Sequence, residues 1–307
     1  MSRELYGLSR DQIRAFTQPS SAIGAYAIVS TWLVIAATFV ALAYVPLLFP
    51  LAVVILGGRQ LALAVVMHEQ AHHTLFRSRS RALDVLVDVT CAAPVWSDVR
   101  RYRRHHLGHH AHTGTERDPD LALAPVEPMS TASFRRKVIR DLTGVSGLRR
   151  IVGLLLIDLD LLQFHVGGEI SRAPRRGFAH HARAGVRSLS LPIITNVILA
   201  LALGWLYLAW AVAYLTVFSL VLRLRSLAEH AGLERTADPL RNTRTTHAHA
   251  FARITVAPLY VNYHLEHHLL PTVPWFRLPA LHRALAATIP AASIAPTYRA
   301  VFRRVAR

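Results

Sequence analysis

Two long stretches without a charged residue dominate the pattern of apolar and polar positions. The first runs from Ala15 to Gly58, between Arg14 and Arg59, and the second from Ser188 to Leu222, between Arg187 and Arg223. A bilayer's hydrocarbon core takes roughly 20 apolar residues per helix, so each stretch has room for two crossings. In the first, a helix is expected over 23–44, Pro46 and Pro50 bracket a tight turn, and a second helix over 47–67 runs on through Arg59 to His72. As one helix, the second stretch would be about 52 Å long, well beyond a core of about 30 Å. Two short spans, 189–203 and 205–222, with a turn at Gly204-Trp205, fit better. Neither outer turn carries Lys or Arg, so every basic residue falls on the inner side, as the positive-inside rule requires.

The pattern therefore predicts an all-α membrane protein, with four transmembrane helices in two hairpins and a cytoplasmic histidine-rich helical cap. The cap comprises residues 68–187 and 223–307 of a single domain, 1–307. Both termini are expected in the cytoplasm, beneath an inner or plasma membrane. Arg59 lies about 13 Å of helix rise before His68, which places it at the inner interface, snorkelling to head groups; an intramembrane arginine with a functional role is the sharper alternative. Two more apolar runs, Ala82–Trp96 and Ile151–Val166, interrupt the cap. The second contains Asp158 and Asp160 and suits a helix lying on the membrane surface, with a buried soluble-domain helix as the alternative.

Composition narrows the class. The chain has 307 residues, is 52% hydrophobic and carries a formal net charge of +17, almost all of it from arginine. Basicity of this degree can mark a nucleic-acid binder. Here no nucleic-acid motif accompanies it and the arginines flank apolar spans, so anionic head groups and an acidic protein partner account for it better. Cys91 is the only cysteine, which excludes a disulfide framework and cysteine-bound zinc or iron–sulfur sites. The polar residues before the first apolar run, with Arg3, Arg10 and Arg14, read as a cytoplasmic leader and not as a secretory signal.

The candidate chemistry is in the histidines. Three clusters, HEQAHH at 68–73, HHLGHH at 105–110 and HLEHH at 264–268, have i, i+3 or i+4 spacings that put imidazoles on one helix face. If they serve one site, each apolar stretch must cross an even number of times. His68-Glu69-Gln70-Ala71-His72 is also the HExxH of zinc proteases, with Glu69 as general base. One zinc, however, takes three protein ligands and a water, and the other two clusters are surplus to that need. A zinc or copper transporter would want its ligands at mid-membrane or in a flexible loop, whereas these follow the spans. Imidazole suits Fe, Zn, Cu or Ni, so spacing does not name the metal.

Four segments carry a family resemblance: HEQAHHTLF (68–76), YRRHHLGHHAHTGTERDPDL (102–121), RSLAEHAG (225–232) and NYHLEHHLLPTVPWFRLPALH (262–282). In these the chain resembles the integral-membrane fatty acid desaturase and hydroxylase superfamily, the histidine-box di-iron enzymes; carotenoid ketolases and some bacterial catabolic oxygenases are similar here. The resemblance implies nine ligands to two irons: His68 and His72; His106, His109 and His110; His230; and His264, His267 and His268. No catalytic residue beyond these ligands is implied. Some members place an asparagine four residues before the His230 equivalent, where it bonds a metal-bound water. That position is Ser226, so this detail does not carry over.

Among the other histidines, His73, His105 and His112 are assigned to the surroundings of the centre or to the surface, and His165, His180, His181, His247, His249 and His282 are not expected as ligands. Glu69, Asp118, Asp120, Glu229 and Glu266 are candidate outer carboxylates that orient imidazoles through the second ring nitrogen. Asp120 and Glu266 are favoured, and a salt bridge to a nearby arginine is the alternative for each. The implied activity is O2-dependent desaturation of a fatty acyl chain, reached through an apolar groove leading under the irons. Hydroxylation or ketolation of a lipid, carotenoid or smaller molecule differs only by small shifts in substrate placement. No fused haem domain, flavin motif or cysteine-bound cluster is present, so a separate ferredoxin or similar acidic donor is expected on the arginine-rich face, although positive-inside topology needs the same arginines.

Overall fold

A computed structural model of the chain describes residues 5–164 and 170–307, so the expectations for Arg3 and His165 fall outside the described residues. The described chain is mainly helical, with two short two-stranded pairings. Three helical runs, 10–44, 46–71 and 178–230, are long and apolar enough to cross a membrane. The first comprises α1 (Arg10–Phe16) and α2 (Ser21–Tyr44), and one 3-10 turn at Pro46–Leu48 leads into α3 (Phe49–Ala71). Ser9 and Ser20 cap α1 and α2 by accepting from Gln12 N and Ile23 N. Helices α2 and α3 pack as the expected hairpin.

The run after the first histidines is not one helix. It forms α4 (Arg81–Val87), a π turn at Asp88–Ala92 and a 3-10 turn at Ala93–Val95. Three side chains from membrane-type helices hold its carbonyls: Trp32 Nε1 donates to Thr90 O (2.8 Å), Asn196 Nδ2 to Ala93 O (3.2 Å) and the Tyr214 hydroxyl to Val95 O (3.2 Å). Trp96 then turns the chain with φ 58° into α5 (Val99–His112), which Asp98 caps.

Helices α6 (Thr131–Leu142) and α7 (Val145–Asp158) follow, and then a short antiparallel hairpin, β1 (Leu162–Phe164) with β2 (Ile170–Arg172). The surface helix expected over 151–166 is therefore corrected: it starts at Val145 and ends at Asp158. Charge pairing ends it. Asp158 is buried against Arg101, and Asp160, at φ 55°, accepts a 2.6 Å bond from His180.

The third apolar run breaks twice. Gly204, at φ 55° and ψ −129°, separates α8 (Phe178–Leu203) from α9 (Tyr207–Leu215). The chain folds back there, because the Tyr207 hydroxyl donates to Asn196 Oδ1 at 3.0 Å, whereas one continuous helix would hold those residues about 16 Å apart. The turn falls where expected, although α8 starts at Phe178 and not near 189. The second break, at Thr216 (φ −107°, ψ −83°), divides the expected 205–222 helix and starts α10 (Val217–His230). Arg150 of α7 fills this break. Its guanidinium donates to Tyr214 O and Ser219 Oγ (both 3.0 Å) and lies 4.6 and 4.8 Å over the Tyr214 and Phe218 rings.

Gly147 allows that approach, since a Cβ there would stand 2.2 Å from Leu215 O. Gly147→Leu is expected to cost about 1–3 kcal/mol through overpacking, read as a thermal midpoint several degrees lower in detergent. An unchanged midpoint would contradict this packing of α7.

The C-terminal part is a series of short pieces: α11 (Pro239–Asn242), β3 (Thr245–Thr246), α12 (Ala250–Ile254), α13 (His264–Leu269), α14 (Leu278–Ala284), β4 (Ile294–Ala295, parallel to β3) and α15 (Tyr298–Val305). Here Arg59 departs from expectation. It does not snorkel: Nη2 caps α12 by bonding Arg253 O (3.3 Å) and Ile254 O (2.5 Å). Neighbouring Gly58 admits that backbone, with a Cβ there only 2.4 Å from Ile254 O.

Candidate metal centre

Four helices deliver the histidines to one place. His68 sits on the last turn of α3 and His72 just past its end; His106, His109 and His110 share a face of α5; His230 ends α10; and His264, His267 and His268 form one face of α13. All nine expected residues converge, in one group of five (His68, His72, His106, His110, His267) and one of four (His109, His230, His264, His268).

Within the groups, Nε2 atoms face one another. His267 lies 3.0 Å from His68 and 2.9 Å from His110, and His110 lies 3.0 Å from His106. In the second group His264 lies 2.9 Å from His230 and 3.1 Å from His268. A ring nitrogen carries one lone pair or one proton, so the Nε2 of His267 cannot make good hydrogen bonds to two neighbours at once. A shared cation resolves this. Two nitrogens about 2.1 Å from one ion lie about 3.0 Å apart at right angles and about 3.4 Å apart at the tetrahedral angle. The observed 2.9–3.1 Å matches the right-angled case, which leaves room for more than four ligands. His72 Nε2, buried without a hydrogen-bond partner among the described residues, belongs to the same group of five.

The second ring nitrogens explain why Nε2 turns inward. Nδ1 of His109 donates to Asp118 Oδ1 (2.7 Å), that of His230 to the Asn242 carbonyl (3.0 Å) and that of His68 to Glu69 Oε1 (3.2 Å). A carbonyl only accepts, so for His230 the proton must sit on Nδ1 and the lone pair on Nε2. His264 Nδ1 lies 3.4 Å from Glu229 Oε1, itself held by Arg225 Nε at 2.5 Å. The Thr113 hydroxyl donates to His109 O, which leaves its oxygen to face His268 Nδ1 at 3.4 Å.

Burial keeps the imidazoles neutral. Desolvation first, and neighbouring imidazoles second, hold His106, His264, His267 and His268 well below the usual histidine range. The same two causes lower His110 to about 2; burial, then His73 and Arg103, lower His72 to about 3. Neutral imidazoles are what a metal requires. For Asp118, burial would raise the carboxyl, but the bonds from His109 and from the amides of Gly114 and Asp120 outweigh it and the net shift is downward.

Three of the five expected carboxylates, Glu69, Asp118 and Glu229, face a clustered imidazole. The two favoured ones do not make the expected contact. Asp120 accepts from His105 Nε2 at 2.9 Å and comes only within 3.8 Å of His109. Glu266 bonds His282 Nδ1 (2.5 Å) and the Thr245 hydroxyl, because it projects from the side of α13 opposite His264. His180 pairs with Asp160, His181 bonds the carbonyls of Leu159 and Arg176, His249 caps α12 and the His247 ring lies 5.9 Å from His282. None of these is in either cluster, nor are His73, His105 and His112. Ser226 faces Leu123 O at 3.5 Å.

Sequence reasoning missed Asn242, which acts through its backbone carbonyl, and Thr113. It also missed Arg244, buried and donating to Ala228 O (3.2 Å) and Ala231 O (2.9 Å) around the end of α10 that carries His230. A basic residue after a helix end is a recognised capping signal, but nothing local shows that Arg244 folds back across that distance.

The sequence profile of fatty acid desaturases matches residues 44–300. The chain belongs to the fatty acid desaturase family. The matched region contains all nine clustered histidines, so this desaturase-family chain is a desaturase-like oxidoreductase, and its apolar helical runs make it a membrane protein. It is also similar to the dihydrorhizobitoxine desaturase of Bradyrhizobium elkanii, with 28% identity over 280 residues covering 87% of this chain and 75% of that protein. Bearing on the protease alternative, Glu69 is buried and, beyond His68, its Oε2 accepts from the Thr74 hydroxyl (2.7 Å) and Trp275 N (3.1 Å).

Proposed function

We propose that this chain is an O2-dependent desaturase that holds two irons with its nine clustered histidines and acts on a fatty acyl chain. The supporting observation is the division of nine clustered imidazoles, seven of them buried, into groups of five and four, with Nε2 pairs in each group at right-angle spacing. When bound, the iron pair supplies O2 reduction and the oxidising power to remove hydrogen from an unactivated C–H bond. The residues around it keep imidazole protons on the outer nitrogens, and Tyr102 stacks on His106 at 5.1 Å. On its other side Tyr102 lines a cavity of about 900 Å³ whose wall includes Met67, Val95, Trp96, Leu154 and Phe218. Arg101, Arg104, Arg117, Arg150 and Asp158 line it too, so it is the apolar side that gives an acyl chain a place beside the centre.

In this reading the α8–α9 reversal makes four crossings. The cap and both termini face the cytoplasm at an inner or plasma membrane, and electrons come from a separate acidic donor such as a ferredoxin docked on the arginine-rich face. A second reading comes from the B. elkanii relative, which is named for dihydrorhizobitoxine and not for a fatty acid: the same centre would oxidise a smaller molecule, by desaturation or hydroxylation. Metal analysis of the purified chain is expected to give about two irons per chain; one zinc and no iron would overturn the di-iron reading. Lipid profiling after expression with a reductase and ferredoxin separates the products, new double bonds supporting desaturation and added hydroxyls the alternative.

A further inference from the structure

A second cavity, of about 390 Å³, adjoins the first across Arg150 and Leu222, which line both. Its chemistry differs. Lys137, Arg150 and Arg223 line it with a single carboxylate, Asp141, which leaves a net charge of +2. Asp141 is wholly buried and already bound by Arg223 through Nε (2.5 Å) and Nη2 (2.9 Å). Lys137 has no such partner among the described residues; its half-buried ammonium faces Met129 Sδ at 3.8 Å. Burial first, then Arg223 and Arg140, hold Lys137 below its usual range, so an anion here would relieve it. Arg150, whose Nη atoms bond Ser219 Oγ and Tyr214 O, has its Nε buried without a hydrogen-bond partner among the described residues.

Two observations point to a lipid and not a soluble anion. Arg223 is the first charge after the second apolar stretch, which places the pocket at head-group level. On α6 and α7, Ile139, Leu142, Leu148 and Val152 are 47–59% exposed beside the arginines 136, 140 and 149. A free phosphate gives these apolar side chains no purpose, whereas a bilayer surface covers them.

We propose that Lys137, Arg150 and Arg223 bind the phosphate of a membrane phospholipid, one of whose acyl chains crosses the Arg150–Leu222 wall into the cavity beside Tyr102. The first half stands on the pocket alone; the second rests on the desaturase reading. Together they make the substrate an acyl chain still esterified to its phospholipid.

The test uses the full chain in detergent with two fluorescent probes of matched acyl chains, phosphatidylglycerol and diacylglycerol, and inorganic phosphate as competitor. Phosphatidylglycerol is expected to bind about tenfold or more tighter than diacylglycerol, the effect of one charge-assisted hydrogen bond or more. Lys137→Glu should remove that preference, and the milder Lys137→Ala most of it, with diacylglycerol binding and iron content as in the parent protein. Equal affinity for the two probes, or Lys137 variants without effect, would overturn the subsite. Displacement by inorganic phosphate at concentrations comparable to the lipid would overturn its assignment to a lipid. Leu222→Trp, which fills the shared wall, should keep phosphatidylglycerol binding and stop conversion of its chains; conversion at the parent rate would overturn the path. Tight phosphatidylglycerol binding with no new double bond, given a matched donor, would sink the desaturase reading and leave the subsite standing.

Discussion

His267→Ala is expected to abolish turnover and to release about one of the two irons from the purified chain. The His267 Nε2 meets residues of two other helices, His68 of α3 at 3.0 Å and His110 of α5 at 2.9 Å. Truncation removes a ligand and also leaves a buried void among neutral imidazoles, which nothing in the apolar shell can fill. The group of four, built on His264, shares no ring with this group and should keep its metal. Iron content and turnover measured on the same preparation therefore separate two readings. A centre of two irons loses half its metal and all its activity; a protease relying on His68, Glu69 and His72 would keep working. Loss of structure is controlled by His249→Ala, which removes an exposed cap of α12 and touches neither group. A His267→Ala protein that retained both irons and its activity would sink the assignment.

How much of this was legible beforehand follows from the range of each cause. Imidazole spacing is a property of one helix turn, so HEQAH, HHLGHH and HLEHH identified eight of the nine clustered residues from local sequence, and the ninth, His230, came from the family resemblance. The reversal at Gly204 was also readable, since an apolar stretch too long for one crossing contains a glycine that reaches φ 55°. The break at Thr216 was not. It depends on Arg150, 66 positions earlier, and on a missing Cβ at Gly147. Arg59 was misplaced for the same reason: α12, which it caps, lies about 190 residues away in sequence. Glu266 is a different kind of error. Two positions along a helix is a turn of about 200°, so a residue two after His264 on α13 had to face away from it, toward His282. The choice between Asp118 and Asp120 lay in the turn that follows α5, whose geometry no periodicity describes.

Asp118→Asn is expected to lower metal retention or turnover by roughly 10–100-fold, with the fold intact. Three donors converge on this carboxylate: His109 Nδ1 at 2.7 Å and the Asp120 amide at 2.8 Å on Oδ1, and the Gly114 amide at 3.0 Å on Oδ2. An asparagine cannot serve them all. With its NH2 in place of Oδ2, it opposes the Gly114 amide; with its NH2 in place of Oδ1, it opposes the Asp120 amide and donates to His109 Nδ1. The second arrangement moves the His109 proton to Nε2, the nitrogen required at the metal. Volume and packing barely change, so the thermal midpoint should fall little while iron binding falls sharply. Asp120→Asn supplies the comparison, because its 2.9 Å bond goes to His105, outside both groups. Iron titration of the two variants should therefore differ by at least the roughly tenfold lower bound for losing such an outer partner. Equal losses would mean that the acidic loop acts through its summed charge and not by holding the His109 tautomer.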